Sequence, residues 1–196
     1  MAKPYHHGDL RAGLLDAAET LLDTEGIAAL SLRAIARAAG VSHAAPKHHF
    51  RDLTGLLTAL TTIGFERFRA ALLAEVHPEM PPASRLRALG SAYLGFARAH
   101  PGLFQLMFRS ERLDWTSPDL KHAASAAFAV LSDIDAPSGA SAGPIPREGL
   151  VRALARWSFV HGVATLWLDG RVAAMAAKHQ QPDPGGIVHD MLAWLP

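Results

Sequence analysis

The segment between Gly26 and Arg51 contains basic and histidine side chains but no aspartate or glutamate. These side chains belong to Arg33, Arg37, His43, Lys47, His48, His49 and Arg51. The whole chain has 19 basic and 18 acidic residues and a formal net charge of +1, so the exclusion of carboxylates is local. Contact with phosphate groups requires such a local excess of positive charge. The segment therefore predicts a surface that binds a nucleic acid.

The same segment has the pattern of two short helices joined by a tight turn. Ser31 can cap a helix that extends to about residue 39, and Gly40 can adopt the backbone conformation that a tight turn needs. We expect Ser42 to cap a second short helix, which ends at Phe50 with that ring in the core. Two helices joined in this way at about 100° form a helix-turn-helix unit, which can insert its second helix into the major groove of DNA.

Side chains at the start of the second helix are the candidates for reading base pairs. His43 can donate to a base acceptor, and Ala44 and Ala45 can pack against thymine methyl groups. Arg33 and Lys47 are expected at phosphates, where they fix register without reading sequence. The predicted DNA-binding set is Arg33, Ser42, His43, Ala44, Ala45, Lys47, His48 and His49. A solvated helical pair without a ligand is the alternative.

Composition limits the classes of protein that the chain can form. Hydrophobic residues make up 49% and charged residues 19%, which is typical of a folded globular protein. The absence of cysteine excludes disulfides, thiolate metal sites and thiol nucleophiles. No apolar stretch typical of a signal peptide or a membrane span is present, so a cytoplasmic protein is expected.

Apolar residues recur at helical spacing through most of the chain, which predicts an all-α fold. Residues 1–52 are expected to form a three-helix, helix-turn-helix DNA-binding domain. Residues 53–196 are expected to form a helical domain for ligand binding and dimerisation. The longer helices are predicted at about 9–25, 52–76, 84–100, 118–132, 147–168 and 186–195.

The second half of the chain carries large apolar side chains with a few polar tips, as a pocket for a small, partly aromatic ligand would need. The predicted effector-binding set is Tyr93, Phe96, Phe104, Met107, Trp157 and His161. An aromatic stripe at helical spacing is also typical of an ordinary core, which is the alternative for each of these residues. A structural hydrogen bond is the favoured role for His161, because a buried imidazole needs a partner.

The last two predicted helices, 147–168 and 186–195, each have two adjacent apolar stripes. A helix that is apolar on two faces needs two packing partners. A second copy of the chain is the predicted second partner, because twofold pairs are the commonest oligomers. Burial of both faces within one chain is the alternative.

Residues 31–42 (SLRAIARAAGVS), with His49-Phe50 and Leu56-Leu57, resemble the DNA-binding segment of the TetR/AcrR family of transcriptional regulators. Residues 100–108 (HPGLFQLMF) and Trp157 with His161-Gly162 are similar to the WHG subclass of C-terminal domains in that family. The resemblance implies an Ω-shaped, all-α homodimer that acts as a repressor. A small effector would release it from a palindromic operator.

Two positions differ from the family's pattern. Lys47 stands where an aromatic residue is usual, and Leu53 stands where a lysine commonly contacts phosphate. Lys47 can replace the lost charge one turn earlier, so the residues that clamp the DNA backbone remain open.

Two other functions are compatible with parts of the sequence. A DNA-binding protein without a ligand would share the features of the first fifty residues. A metal-dependent hydrolase could use some of the eleven histidines, but no pair has the i, i+4 spacing with a nearby glutamate that a helical zinc site uses. No metal site, catalytic residue or cofactor is predicted.

Overall fold

The computed structural model describes residues 10–77, 79–109, 111–132 and 145–195. Within these ranges the chain forms ten α-helices and no strand, which confirms the predicted all-α fold. The helices are α1 Leu10–Glu25, α2 Leu32–Ala38, α3 Ala45–Phe50, α4 Leu53–Ala74, α5 Pro82–Ala99, α6 Pro101–Arg109, α7 Pro118–Ser132, α8 Arg147–Leu168, α9 Arg171–Lys178 and α10 Pro184–Met191. None of the helices in this part of the chain combines the length and apolarity needed to cross a membrane.

Local side-chain caps mark the starts of two helices near the N-terminus, α2 and α4. The Ser31 hydroxyl accepts a hydrogen bond from the Ala34 N–H at 3.1 Å and caps α2, as predicted. Gly40 has a φ of 68° in the turn after α2, a left-handed conformation that glycine adopts at little cost. The Asp52 carboxylate accepts from the Gly55 N–H at 2.8 Å at the start of α4.

The predicted start of the second short helix at Ser42 is wrong. Helix α3 begins at Ala45, and residues 43 and 44 form a turn before it. A helix capped by Ser42 would need an N–H from residue 46 to bond the Ser42 carbonyl, and Pro46 has no N–H. Starting at Ala45 places Pro46 in the first turn, where no intrahelical donor is required.

Near the C-terminus the structure has one helix more than predicted. Helix α9 has only eight residues, four of them alanine, and it was not predicted, although alanine has the highest helix propensity. The last predicted helix is shorter, because α10 gives way to a 3-10 turn at Leu192–Trp194. The Asp183 carboxylate caps α10 through the Gly186 N–H at 2.8 Å.

The chain divides into two compact units. The first comprises the chain up to Phe65 together with Gly102–Ala123, and the second comprises Glu66–Pro101 together with the chain from Ala124 onwards. In the first unit, the Thr58 hydroxyl of α4 accepts from the Asp114 N–H at 3.0 Å. The first unit thus includes more of the chain than residues 1–52, whose role as a separate DNA-binding domain stays a prediction.

The junction between α3 and α4 is tightly constrained. The Asp52 N–H donates to the Phe50 carbonyl at 2.7 Å, with Arg51 at φ 66° and ψ −56°. These angles describe a γ-turn of the strained type, a backbone conformation that residues with a side chain rarely adopt. The Phe50 carbonyl also lies directly over Gly55, where an added Cβ would overlap its oxygen. The γ-turn at Arg51 and the lack of a side chain at Gly55 together fix α3 against the first turn of α4.

We expect Gly55→Ala to destabilise the protein by about 2 kcal/mol, because a backbone carbonyl cannot move aside as a flexible side chain can. Gly13→Ala is the matched control, since an added Cβ there meets no atom within 4 Å. That control should stabilise α1 by roughly 0.5–1 kcal/mol. Urea unfolding of both variants measures the difference, and equal stabilities would contradict the proposed overlap.

Candidate nucleic-acid interface and effector residues

The segment from the turn before α3 to the end of that helix has one exposed face and one buried face. Ala45, Pro46 and Phe50 are buried, and Phe50 also lies beneath the Arg11 guanidinium, 5.3 Å from the ring centroid. The exposed face consists of Ser42, His43, Ala44, Lys47, His48 and His49. Seven of the eight predicted DNA-binding residues, these six and Arg33 of α2, are therefore accessible to a ligand.

Ala45 is the exception among the predicted residues. Only 9% of its surface is exposed, because it lies in the first turn of α3 on the side that packs into the first unit. Ala45 therefore packs between α3 and the rest of the first unit. Ala45 is therefore not accessible to a base.

The charged groups of this surface are available to phosphates. Arg33, Arg37, Lys47 and Arg51 are all exposed. None of them forms an ion pair with an aspartate or glutamate in the described ranges. The segment without acidic residues therefore forms a surface of exposed cations, and these cations have no acidic partner among the described residues.

Four of the six predicted effector residues lie in the second unit, where two of them are core residues. Tyr93 is fully buried and Phe96 nearly so, and both pack on Phe68, with ring centroids 5.0 and 5.1 Å apart. The Tyr93 hydroxyl lies 2.8 Å from Nδ1 of His161 and accepts from Nε1 of Trp157 at 3.2 Å. His161 therefore has the expected structural hydrogen bond, and its partner is a phenol.

Phe104 and Met107 lie in the first unit and are buried there. Phe104 packs on Phe108 at 4.9 Å between ring centroids, and Met107 lies against α4 where Gly64 has no side chain. Both side chains are part of a closed core. Phe104 and Met107 are thus core residues of the first unit, and Tyr93 and Phe96 are core residues of the second.

A cleft that the sequence analysis did not identify lies in the second unit. It has a volume of about 580 Å³ and lies between α5, the end of α8 and α10. Its lining residues are Ser91, Leu94, Gly95, Arg98, Ala99, Trp167, Gly185, Val188, His189 and Leu192. The sequence signal was present but easily missed, because Ser91, Gly95 and Arg98 have the i, i+4, i+7 spacing of one helix face.

Helices α2 and α3 are joined by a tight turn, carry no carboxylate and expose the second helix to solvent. These features define a helix-turn-helix DNA-binding protein. Comparison with known families agrees. The profile of "Bacterial regulatory proteins, tetR family" matches residues 14–60, and that of "Tetracyclin repressor-like, C-terminal domain" matches residues 86–185. The chain belongs to the TetR family of bacterial transcription regulators.

Solved structures resemble the chain along nearly its whole length. A protein of unknown function from Rhodococcus sp. RHA1 is 37% identical, with a TM-score of 0.73 over 98% of this chain and 94% of that one. The protein SCO4313, described as regulatory, is 26% identical, with a TM-score of 0.76 over 98% of both chains. The fatty acid degradation regulator FadR from Bacillus halodurans is 16% identical, with a TM-score of 0.68 over 97% of this chain and 96% of that one, and shares the fold. A search of curated proteins gave no match.

The family assignment settles the class of function. The two profiles together cover most of the chain, so the protein is a DNA-binding transcription regulator and not a metal-dependent hydrolase. The predicted helix-turn-helix lies within the N-terminal match, and the WHG residues lie within the C-terminal match.

Burial raises the pKa of the Tyr93 phenol, an effect that the hydrogen bond from Trp157 opposes. Above about pH 10 the unfolded chain loses this proton while the folded protein keeps it, so the free energy of unfolding falls by up to about 1.4 kcal/mol per pH unit. Tyr93→Phe removes this dependence but also removes a hydrogen bond. We expect Tyr93→Phe to be less stable than the wild type at neutral pH. The difference between their free energies of unfolding should narrow as the pH rises above about 10. Urea unfolding across the alkaline range measures the gap, and a constant difference would contradict the prediction.

Proposed function

We propose that the protein is a cytoplasmic repressor that binds a palindromic operator as a homodimer and is released from it by a small-molecule effector. The observation that carries this proposal is the exposed surface of α2, α3 and the turn between them, whose cations have no described acidic partner. Such a surface favours phosphate contact and lets the α3 segment approach the floor of a major groove.

The exposed residues divide by the contacts that their chemistry allows. His43 and Ala44, in the turn that leads into α3, would reach base edges, with a donor for a base acceptor and a methyl for thymine. Lys47 and His48 would follow them along the groove. Ser42, His49 and the Arg33 guanidinium of α2 would contact phosphates and hold the register.

The proposed dimer contact uses apolar surface that one chain leaves exposed near its C-terminus. Leu150, Leu154 and Leu166 of α8 remain about 40% exposed, so one chain does not bury both faces of this helix. An apolar groove of about 320 Å³ continues this surface, and its apolar walls are Leu166, Val172, Met175, Ala176, Ile187 and Met191. A second copy that packs its own α8 and α10 here would cover this surface by twofold symmetry.

Release by an effector requires that the ligand binds one conformation of the dimer better than the other. A coupling free energy of about 1–3 kcal/mol is typical, and it would change operator affinity by one to two orders of magnitude. An operator affinity that no bound ligand changes would instead favour the ligand-independent regulator.

Selection of bound duplexes from a random DNA pool tests the proposed operator. We expect a palindrome whose half-sites are centred about one helical turn apart, because two α3 segments must enter successive major grooves about 34–36 Å apart. Recovery of a single asymmetric half-site would contradict the dimeric arrangement. Recovery of no preferred duplex would contradict operator binding itself.

Arg33→Gln should weaken operator binding and lower the dependence of log K on log salt by about 0.9, the contribution of one phosphate contact. Arg87→Gln is the matched control, because Arg87 is an exposed arginine in the second unit. Fluorescence anisotropy titrations over a series of salt concentrations give both slopes. An unchanged slope for Arg33→Gln would remove Arg33 from the phosphate contacts.

Met175→Glu should shift the protein from dimer to monomer, because it places a charge in the apolar groove where the second copy would pack. Leu73→Glu is its control, since Leu73 is a comparably exposed apolar residue on α4, away from the groove. Sedimentation equilibrium over a dilution series measures the dissociation constant of each variant. Equal dimer stability in the two variants would contradict the proposed contact.

A further inference from the structure

We propose that the cleft between α5, the end of α8 and α10 binds an organic acid, with its carboxylate on Arg98 and its apolar body against the floor of the cleft. This proposal deepens the proposed function by naming the effector class, and it rests on that function only for the effect on DNA. It differs from the predicted pocket, because none of the predicted effector residues lines the cleft.

The floor of the cleft suits an apolar ligand. Leu94, Val188 and Leu192 form it, and all three are buried in the fold of the second unit. Gly95 contributes no side chain, and a Cβ added there would meet no atom within 4 Å. The volume of about 580 Å³ lies in the range of small-molecule sites, which is about 300–1,000 Å³.

The rim of the cleft suits a negative charge. Arg98 is exposed, and its guanidinium lies 5.9 Å from the centroid of the Trp167 ring. No aspartate or glutamate lines the cleft, and no described carboxylate pairs with Arg98. A guanidinium restrained on an aromatic face and free of a counter-ion can present two parallel N–H donors to a carboxylate.

The arrangement of these groups selects the class of ligand. Ser91 lies two turns before Arg98 on the same face of α5, and His189 of α10 lines the opposite wall, so polar contacts surround an apolar base. A neutral hydrocarbon would leave Arg98 without a partner. A multiply charged phosphate ester would need more cations than this one guanidinium and a histidine. A monocarboxylate with an aromatic or aliphatic body satisfies both the floor and the rim.

Isothermal titration calorimetry of the full chain with phenylacetate and with decanoate tests this inference. The matched probes are the corresponding amides, phenylacetamide and decanamide, which keep the apolar body and lack the charge. We expect at least one acid to bind with a stoichiometry of one per chain, and its amide to bind at least about tenfold more weakly, because charge-assisted hydrogen bonds are the stronger ones. Failure of both acids to bind, or equal binding of acid and amide, would overturn the proposal.

Three variants locate the bound acid. Arg98→Gln should weaken binding at least about tenfold, and Arg98→Lys should restore part of it, because lysine keeps the charge but lacks the paired donors. Gly95→Leu should block binding by filling the cleft, and the fold should tolerate the change because a Cβ added there meets no atom within 4 Å. Arg87→Gln, elsewhere on α5, should bind as the wild type does. Wild-type affinity in both Arg98→Gln and Gly95→Leu would overturn the proposal.

The failure of this inference can be distinguished from the failure of the proposed function. An acid that binds in the cleft but leaves operator affinity unchanged would support the site and contradict its role in release. Release of the operator by another compound, with Arg98→Gln and Gly95→Leu responding as the wild type does, would support regulation by a ligand and overturn the cleft as its site.

Discussion

The position of the proposed DNA-binding surface, the exposed side chains of α2 and α3, depends on one close contact, the passage of the Phe50 carbonyl over Gly55 at the start of α4. The connection between α3 and α4 has only two residues, and each of them has a defined structural role. Arg51 holds the strained γ-turn, and the Asp52 carboxylate caps the next helix. The angle between α3 and α4 is thus set by backbone sterics and two hydrogen bonds, so the exposed histidines and Lys47 keep a fixed orientation relative to α4.

Local chemistry made much of this arrangement predictable from the sequence. Ser31 and Gly40 act through interactions within a few residues, and their roles in the structure follow directly from their types. Helix α3 begins at Ala45 and not directly after Ser42, because Pro46 has no N–H to donate to the Ser42 carbonyl. The need for Gly55 could not be predicted, because it depends on where the Phe50 carbonyl lies after folding.

In the second unit, less of the candidate ligand site could be predicted from the sequence. Its large aromatic residues have the right character for a ligand pocket, yet Tyr93 and Phe96 fill the core, since periodicity alone cannot distinguish a core from a cavity wall. The cleft residues come from separate helices and include two glycines, a serine and a single arginine. Helical spacing places Ser91, Gly95 and Arg98 on one face of α5, but no pattern along the chain brings residues of different helices together. Only the packing of α5 against α8 and α10 does so.

The carboxylate-free surface of α2 and α3 also bears on how the regulator finds its target. Unpaired cations attract any duplex, whatever its base sequence, so the proposed DNA-binding surface would also bind ordinary chromosomal DNA weakly. Weak binding of this kind allows the molecule to slide and hop along the duplex, which shortens a three-dimensional search. The same cations would hold part of the protein on unrelated DNA. Occupancy of the target is therefore set by competition with the whole chromosome as well as by intrinsic affinity.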